Sequence, residues 1–378
     1  MAAQVTGLSA ALAAGGHDVV VLTIAERPAE LEAKPPPGVR VLRTLVDLPW
    51  LPPAETVTRV ASANHAITKL GARFVGDLAG WEPDVVHGHD WQLGWAADSL
   101  ASRYDVPFVL TMHGTERVRH GGQLPLGHPT DINSIEWWLA FQADRIIAPT
   151  RFVVEQLITG FELDQDNVIH IPNGIDPSLW RPERVGAAPR RPLVVSWGRV
   201  QYEKGFQVLA RAMHLLRGRL PDVHATIAGR GSYLPELQTQ IDVEGVSDLV
   251  DLPGYLHDAD LRRLAHTAGC VVIPSLYEPF GIVALEALAA GTPLIVARTG
   301  GLAELVAGTH AGITFEPGNP DDLADAIEQV LTNHELATIL IANARDLVER
   351  KYSWDAIARA TVEVYSDFGP PSSGARSR

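Results

Sequence analysis

Two glutamates, Glu278 and Glu286, stand in the otherwise apolar run SLYEPFGIVALEALAAGTPLIV (275–296). A carboxylate stripped of water and left unpaired is costly, so each needs a cation, hydrogen-bond donors or a bound polar ligand to offset its burial. The stretch 270–274 reads as a short buried strand. Pro279 suits the first position of a helix that ends near residue 290, where Gly291 stops it. Glu278 therefore lies on the loop leaving the carboxyl end of a strand, which is where open parallel sheets bind ligands. Glu286 lies inside the helix. Without a ligand, Glu278 would be a carboxylate favoured by the helix dipole, and Glu286 one half of a buried ion pair.

A second candidate is SWGRVQYEKG (196–205), again a strand end leading into a helix. The Arg199 fork and the Lys204 point charge are a pair suited to a diphosphate. Two cations on a loop are unremarkable by themselves, and their position beyond a strand is what singles them out. ARTGGLAELV (297–306) and IAGRGSYL (227–234) add glycine turns after strands. In the former, Gly300 and Gly301 let backbone N–H groups approach an anion. Neither completes the phosphate-loop or dinucleotide-binding pattern. The second half of the chain thus reads as a binder of a phosphorylated ligand, and not as a P-loop ATPase or a dehydrogenase. In the first half, VVHGHDW (85–91) and LTMHGTE (110–116) place His87, His89, Asp90 and His113 at strand ends. No companion cysteine or HxxxH helix accompanies them, which argues against a metal site. The strings DQD (164–166) and DAD (258–260) fall in loop or helix-start contexts and read as solvated or capping residues.

These loops need a scaffold of alternating strands and helices, and the pattern supplies one. Strands are expected at 19–24, 39–42, 85–87, 108–112, 145–148 and 168–171, with helices near 4–14, 56–79, 91–103, 131–142 and 151–159. The stretch RPERVGAAPRRP (181–192) reads as a linker. The pattern restarts with strands at 193–197, 225–228, 249–252, 270–273, 294–297 and 313–315. The fold class is α/β, with two Rossmann-like domains in series. The expected boundaries are a first domain over 1–180, the linker, a second domain over 193–351, a helical segment over 352–368 and a disordered tail over 369–378. The helix near 354–367 carries an apolar stripe that suits either domain.

The chain has 378 residues, 46% of them hydrophobic, enough for two cored domains. Its formal charge of -14 argues against nucleic acid and anionic membrane surfaces as partners. No apolar stretch is long enough for a stable membrane insertion. The segment before residue 17 lacks the charge and apolar core of a secretory leader. A single cysteine, Cys270, excludes an internal disulfide framework and fits the cytoplasm.

Together these motifs resemble the retaining family-4 glycosyltransferases. EPFGIVALE (278–286) matches the family's E-x7-E signature, GRVQYEKG (198–205) its arginine–lysine loop and TGGL (299–302) its glycine turn. HGHDW (87–91), TMHGTE (111–116), PNGID (172–176) and PGY (253–255) follow in family order, so the resemblance runs from about residue 5 to 366. HGTERVRHGG (113–122) with EWWL (136–139) is most similar to the bacterial glycogen-synthase-type α-glucosyltransferases. The resemblance implies the GT-B fold, two Rossmann-like domains facing across a cleft, with the 354–367 helix crossing back to the first.

It also implies roles. Glu278 would contact the donor sugar, and the amides of Phe280, Gly281 and Ile282 its hydroxyls. Glu286 would accept from the ribose. Arg199 and Lys204, with Gly205, would neutralise the departing diphosphate, and Gly300, Gly301 and Leu302 would complete the donor site. The backbone near Tyr255 would meet the base. His113 would join the catalytic set, and Asp90, Trp91, Glu116 and Asn173 would line the acceptor side. The partners implied are a nucleotide sugar (ADP- or UDP-glucose) and a carbohydrate acceptor, an α-glucan, with neither metal nor other cofactor. Three alternatives stay open. They are a mannosyl- or other hexosyltransferase acting on a lipid or small glycoside, a non-catalytic nucleotide-sugar-binding fragment, and a sugar-nucleotide epimerase. One feature departs from the family, whose members open with a strand and a glycine-rich loop ahead of the helix that starts here near residue 4. The expectation is a late-placed start or a shortened chain, poorly active, with a first sheet lacking its central strand.

Overall fold

The computed structural model describes residues 2–25, 27–46, 56–77, 81–120, 123–181 and 191–369. They form two compact units, one running to Gly174 and resuming at Trp354, the other Ile175–Ser353. Most of the expected linker (182–190) and the tail from 370 lie outside the described residues.

In the first unit, helix Ala2–Ala14 precedes β1 (Val19–Ala25), which pairs in parallel with β2 (Val39–Leu45). After helix Thr56–Asp77 come β3 (Val86–His89), β4 (Phe108–Thr111), β5 (Arg145–Ala148) and β6 (Val168–His170), a separate parallel sheet in that order. Among the described residues no strand pairs with both β1 and β3. Successive side chains of a strand point to opposite faces. Phe108 and Leu110 accordingly meet Leu139, Leu157 and Phe161 of the crossover helices on one face. Val109 and Ile147 meet Leu8, Leu12, Ile357 and Val364 on the other. Helix Trp354–Ser366 therefore packs within the first unit. Its leading indole lies close to two backbones: a Cβ at Gly7 would fall 2.1 Å from the Trp354 ring, and one at Gly174 2.5 Å from it.

The second unit holds β7 (Leu193–Trp197), β8 (His224–Ala228), β9 (Val250–Gly254), β10 (Cys270–Ile273), β11 (Leu294–Ala297) and β12 (Gly312–Phe315). All six are parallel, in the order β12-β11-β10-β7-β8-β9. The order reverses between β7 and β10, so the loops leaving those two strands diverge to opposite faces and open a crevice at their carboxyl ends. Both faces are covered by helices, and β10 and β11 are buried along their whole length, as a doubly covered parallel sheet requires.

Two expectations are corrected. The first unit ends at Gly174 and not at 180, because helix Pro177–Trp180 belongs to the second. Ile175 donates its N–H to the Tyr352 carbonyl (2.8 Å), and Trp180 stacks on Trp197 at 6.0 Å and 12°. The helix after Glu278 begins at Ile282 and not at Pro279, since Gly281 preceding it has φ +95°, outside the right-handed helical region.

Candidate active site

Three loops at the carboxyl edge of the second sheet are tied together by backbone hydrogen bonds. Leu276 N–H reaches the Glu203 carbonyl (2.8 Å), and Gly301 N–H reaches that of Glu278 (3.0 Å). Thr299 adds its hydroxyl to the Leu276 carbonyl (3.3 Å). The loop after β7 is set by Gly205, whose φ is +69° and whose Cβ would fall 1.8 Å from the Pro274 carbonyl oxygen. A Gly205→Ala chain should lose about 2 kcal/mol of stability in denaturant titration, from the left-handed backbone and the collision together.

Within these loops Lys204 Nζ lies 2.6 Å from Glu278 Oε2, with side chains 18% and 14% exposed. The expected ligand-facing cation and carboxylate thus meet each other directly, which answers what offsets the burial of Glu278. Ser275 Oγ stands at 3.4 Å from the same oxygen. Arg199 is exposed on the same loop, and among the described residues no carboxylate pairs with it. Phe280 and Leu302 are buried, Leu302 packing beneath Gly281, whereas Ile282 is exposed. Gly300 opens helix Gly300–Val306 at φ +46°. Tyr255 is exposed just beyond β9, with the Arg230 guanidinium 5.7 Å above its ring.

Glu286 lies just over one turn into helix Ile282–Ala289. Burial raises its carboxyl to about 7, aided by the Asp258 charge and opposed by the Trp197 indole N–H, which donates to Oε2 at 2.8 Å. Trp197 does not stand out in the sequence. Its one signal there is a large indole at a strand end, whose N–H must find a partner when buried.

The acceptor-side candidates fall in the first unit. Asp90, at φ 54° after β3, accepts the His113 N–H at 2.8 Å, and Asn173 is buried in the same unit. Burial raises the Asp90 carboxyl to about 6. His113 ends a column of stacked imidazoles: His87 and His89 lie 4.5 Å apart, His89 and His113 5.8 Å. Burial holds His89 at about 3 and His113 at about 4, and holds His87 well below its ordinary value, with neighbouring imidazoles adding to the shift in His87 and His89. His87 sits between the Tyr365 hydroxyl (2.6 Å) and the Thr111 hydroxyl (2.7 Å), which satisfy both ring nitrogens in either tautomer. The column is legible in the sequence only as scattered histidines.

Glu116 carries Arg119 (3.3 Å) and His120 (3.2 Å), and its N–H donates to Glu136 (2.8 Å). Glu136, which sequence reasoning also missed as a site residue, is 1% exposed, and burial with the Glu116 and Asp90 charges raises it to about 8. Trp91 lies in the core at 4% exposure. Of the D-x-D strings, Asp164 caps the N–H of Asp166 (3.0 Å) and Asp260 pairs with Arg263 (2.8 Å). Among the described residues no three His, Cys, Asp or Glu groups are placed to hold a metal ion, and no helix is long and apolar enough to cross a membrane.

Comparison with known proteins places the chain in a family. Residues 1–179 match Glycosyltransferase Family 4 and residues 181–347 match Glycosyl transferases group 1. The glycogen synthase of Mycobacterium tuberculosis is 35% identical over 373 residues, covering 95% of this chain and 88% of its own. A glycosyltransferase of Methanocaldococcus jannaschii is 33% identical over 379 residues, covering 97% and 93%. Among solved structures, the sucrose-phosphate synthase of Thermosynechococcus elongatus superposes with a TM-score of 0.78 over 96% of this chain and 91% of its own. At 23% identity that likeness is one of fold. The chain belongs to the family-4, group 1 glycosyltransferases and is a glycosyltransferase with the GT-B fold of two Rossmann-like domains.

Proposed function

We propose that the chain transfers glucose from ADP- or UDP-glucose to an α-glucan, with retention of anomeric configuration and without a divalent ion. The observation that carries this reading is the Lys204–Glu278 pair at the reversal point of the second sheet, beside the exposed Arg199. A diphosphate entering there meets two cations, and Glu278 is freed to face the sugar. As the glycosidic bond to phosphate breaks, negative charge grows on the leaving oxygen. Cations fixed by the loop stabilise it without the reorganisation that water would need. Glu278 bears the opposite charge, suited to the positive character that develops at the anomeric carbon. The glucan acceptor rests on the likeness to a glycogen synthase along nearly the whole chain. The His113 ring, held neutral, serves as a hydrogen-bonding group for sugar hydroxyls. The one cysteine, buried, suits a reducing compartment such as the cytoplasm.

The test is release of nucleoside diphosphate from ADP-glucose and UDP-glucose, with and without glycogen, in EDTA. Glycogen-dependent release that Glu278→Ala abolishes is expected. Release only with small glycosides would move the acceptor to the alternative class. Loss of release in EDTA, restored by a divalent ion, would overturn the metal-independent step. Sugar isomerisation without an acceptor would mark an epimerase.

A further inference from the structure

Trp197 closes β7 at the strand reversal, 7% exposed, and its indole N–H reaches only one of the two Glu286 oxygens, Oε2 at 2.8 Å. The indole is itself fixed. Trp180 stacks on it nearly parallel, at 6.0 Å and 12°, and the Trp180 carbonyl accepts from His266 Nε2 at 2.6 Å. A carboxylate at the end of a free side chain samples a broad terminal torsion. Here one oxygen is anchored and the plane is set, leaving Oε1 and the remaining lone pairs of Oε2 as acceptors in a fixed orientation.

Burying a carboxylate costs more than one hydrogen bond returns. A glutamate placed merely to satisfy an indole would thus be a poor exchange, since a backbone carbonyl would serve as well. The simpler account runs the other way, with the indole serving the glutamate.

We propose that Trp197 is a positioning residue for the donor, orienting Glu286 so that its carboxylate accepts from the vicinal diol of the nucleotide ribose. This rests on the reading of Glu286 as the ribose acceptor. Two adjacent hydroxyls demand a carboxylate of defined plane, and pre-orienting it removes an entropic cost of binding. The Trp180–Trp197 stack makes the arrangement rigid on the donor-domain side alone, without the acceptor.

The experiment compares the affinities of ADP and 2′-deoxy-ADP, and of the uridine pair, by calorimetry on wild type, Trp197→Phe, Glu286→Ala and the double variant. Phenylalanine keeps the ring stack and removes only the N–H. Wild type should prefer the ribonucleotide by about 10-fold, the worth of one hydrogen bond to a charged acceptor. Trp197→Phe should weaken ribonucleotide binding about 10-fold and leave the deoxynucleotide nearly unchanged, shrinking the preference to under about 3-fold. KM for the donor should rise with kcat nearly constant, and the second substitution should add nothing to Glu286→Ala. If Glu286→Ala erases the preference and Trp197→Phe does not, the positioning role is overturned while the ribose reading stands. If Trp197→Phe weakens both nucleotides equally, its part is structural and the proposal fails. If wild type shows no preference, or Glu286→Ala keeps it, the ribose reading falls and this inference with it.

Discussion

Replacing Lys204 by methionine should lower the turnover of sugar transfer about 100- to 1,000-fold, the usual consequence of removing one fixed group that stabilises transition-state charge. Two effects act together. Lys204 is one of the two cations beside which the diphosphate would develop charge, and it is also the direct partner of the largely buried Glu278 carboxylate, 2.6 Å from its Oε2. Breaking one side of a buried pair leaves an uncompensated charge worth about 3–5 kcal/mol, so without its partner the Glu278 side chain is no longer held in place. Arginine should rescue little, because its planar fork cannot occupy the place of a compact ammonium 2.6 Å from Oε2. The measurement is single-turnover transfer at saturating donor, for Lys204→Met, Glu278→Gln and the pair. Strong non-additivity is expected, since the two side chains touch. Additive losses would mean that they act separately, and an unchanged rate for Lys204→Met would remove the loop from the catalytic step.

That pair shows what could and could not be read from the amino-acid order. The apolar runs that became β7–β12 are short, continuous and punctuated by glycine or proline, so strand positions were legible within a residue or two. The loops that bear Arg199, Lys204 and Glu278 followed from those strands. Their mutual contact did not, because it joins residues 74 positions apart through side-chain geometry alone. The same holds more strongly for His87 and Tyr365, separated by 278 positions and brought together by the returning helix Trp354–Ser366. Periodicity left that helix ambiguous, and what places it is the fit of the Trp354 indole against Gly7 and Gly174. The boundary expected at 180 moved to Gly174 for a similar reason: RPERVGAAPRRP marks a change of composition, whereas the packing of Trp180 on Trp197 decides which core it joins. Helix starts were misjudged where a proline rule met a glycine of positive φ, as at Pro279 and Gly281.

Glu136→Gln should make the first unit more stable at alkaline pH, by about 4–5 kcal/mol at pH 9, and change little near pH 5. The sign follows from the carboxyl's two environments. Its ordinary value is 4.5, and in the folded chain it is raised to about 8, first by burial and then by the Glu116 and Asp90 carboxylates. The folded state therefore holds a proton that the unfolded state releases. The resulting stability is fully present below pH 4.5 and is lost progressively as pH rises to about 8. Each pH unit between those two values removes about 1.4 kcal/mol. Glutamine mimics the protonated form. It keeps a carbonyl oxygen for the Glu116 N–H at 2.8 Å, without a charge to desolvate. Alanine would not serve as a control, since it leaves that N–H unpaired and a void at a site 1% exposed. The stacked histidines pull the other way, their lowered values costing stability below pH 6.5, so the wild-type profile mixes opposing slopes and only the difference between variants isolates Glu136. Amide exchange of β4, the fully buried strand beside this cluster, reports on the first unit without averaging over the second. Protection rising with pH in Glu136→Gln relative to wild type is the expected result. Parallel profiles from about pH 5 to 9 would mean that Glu136 ionises normally in the fold and that Arg119 offsets its burial after all.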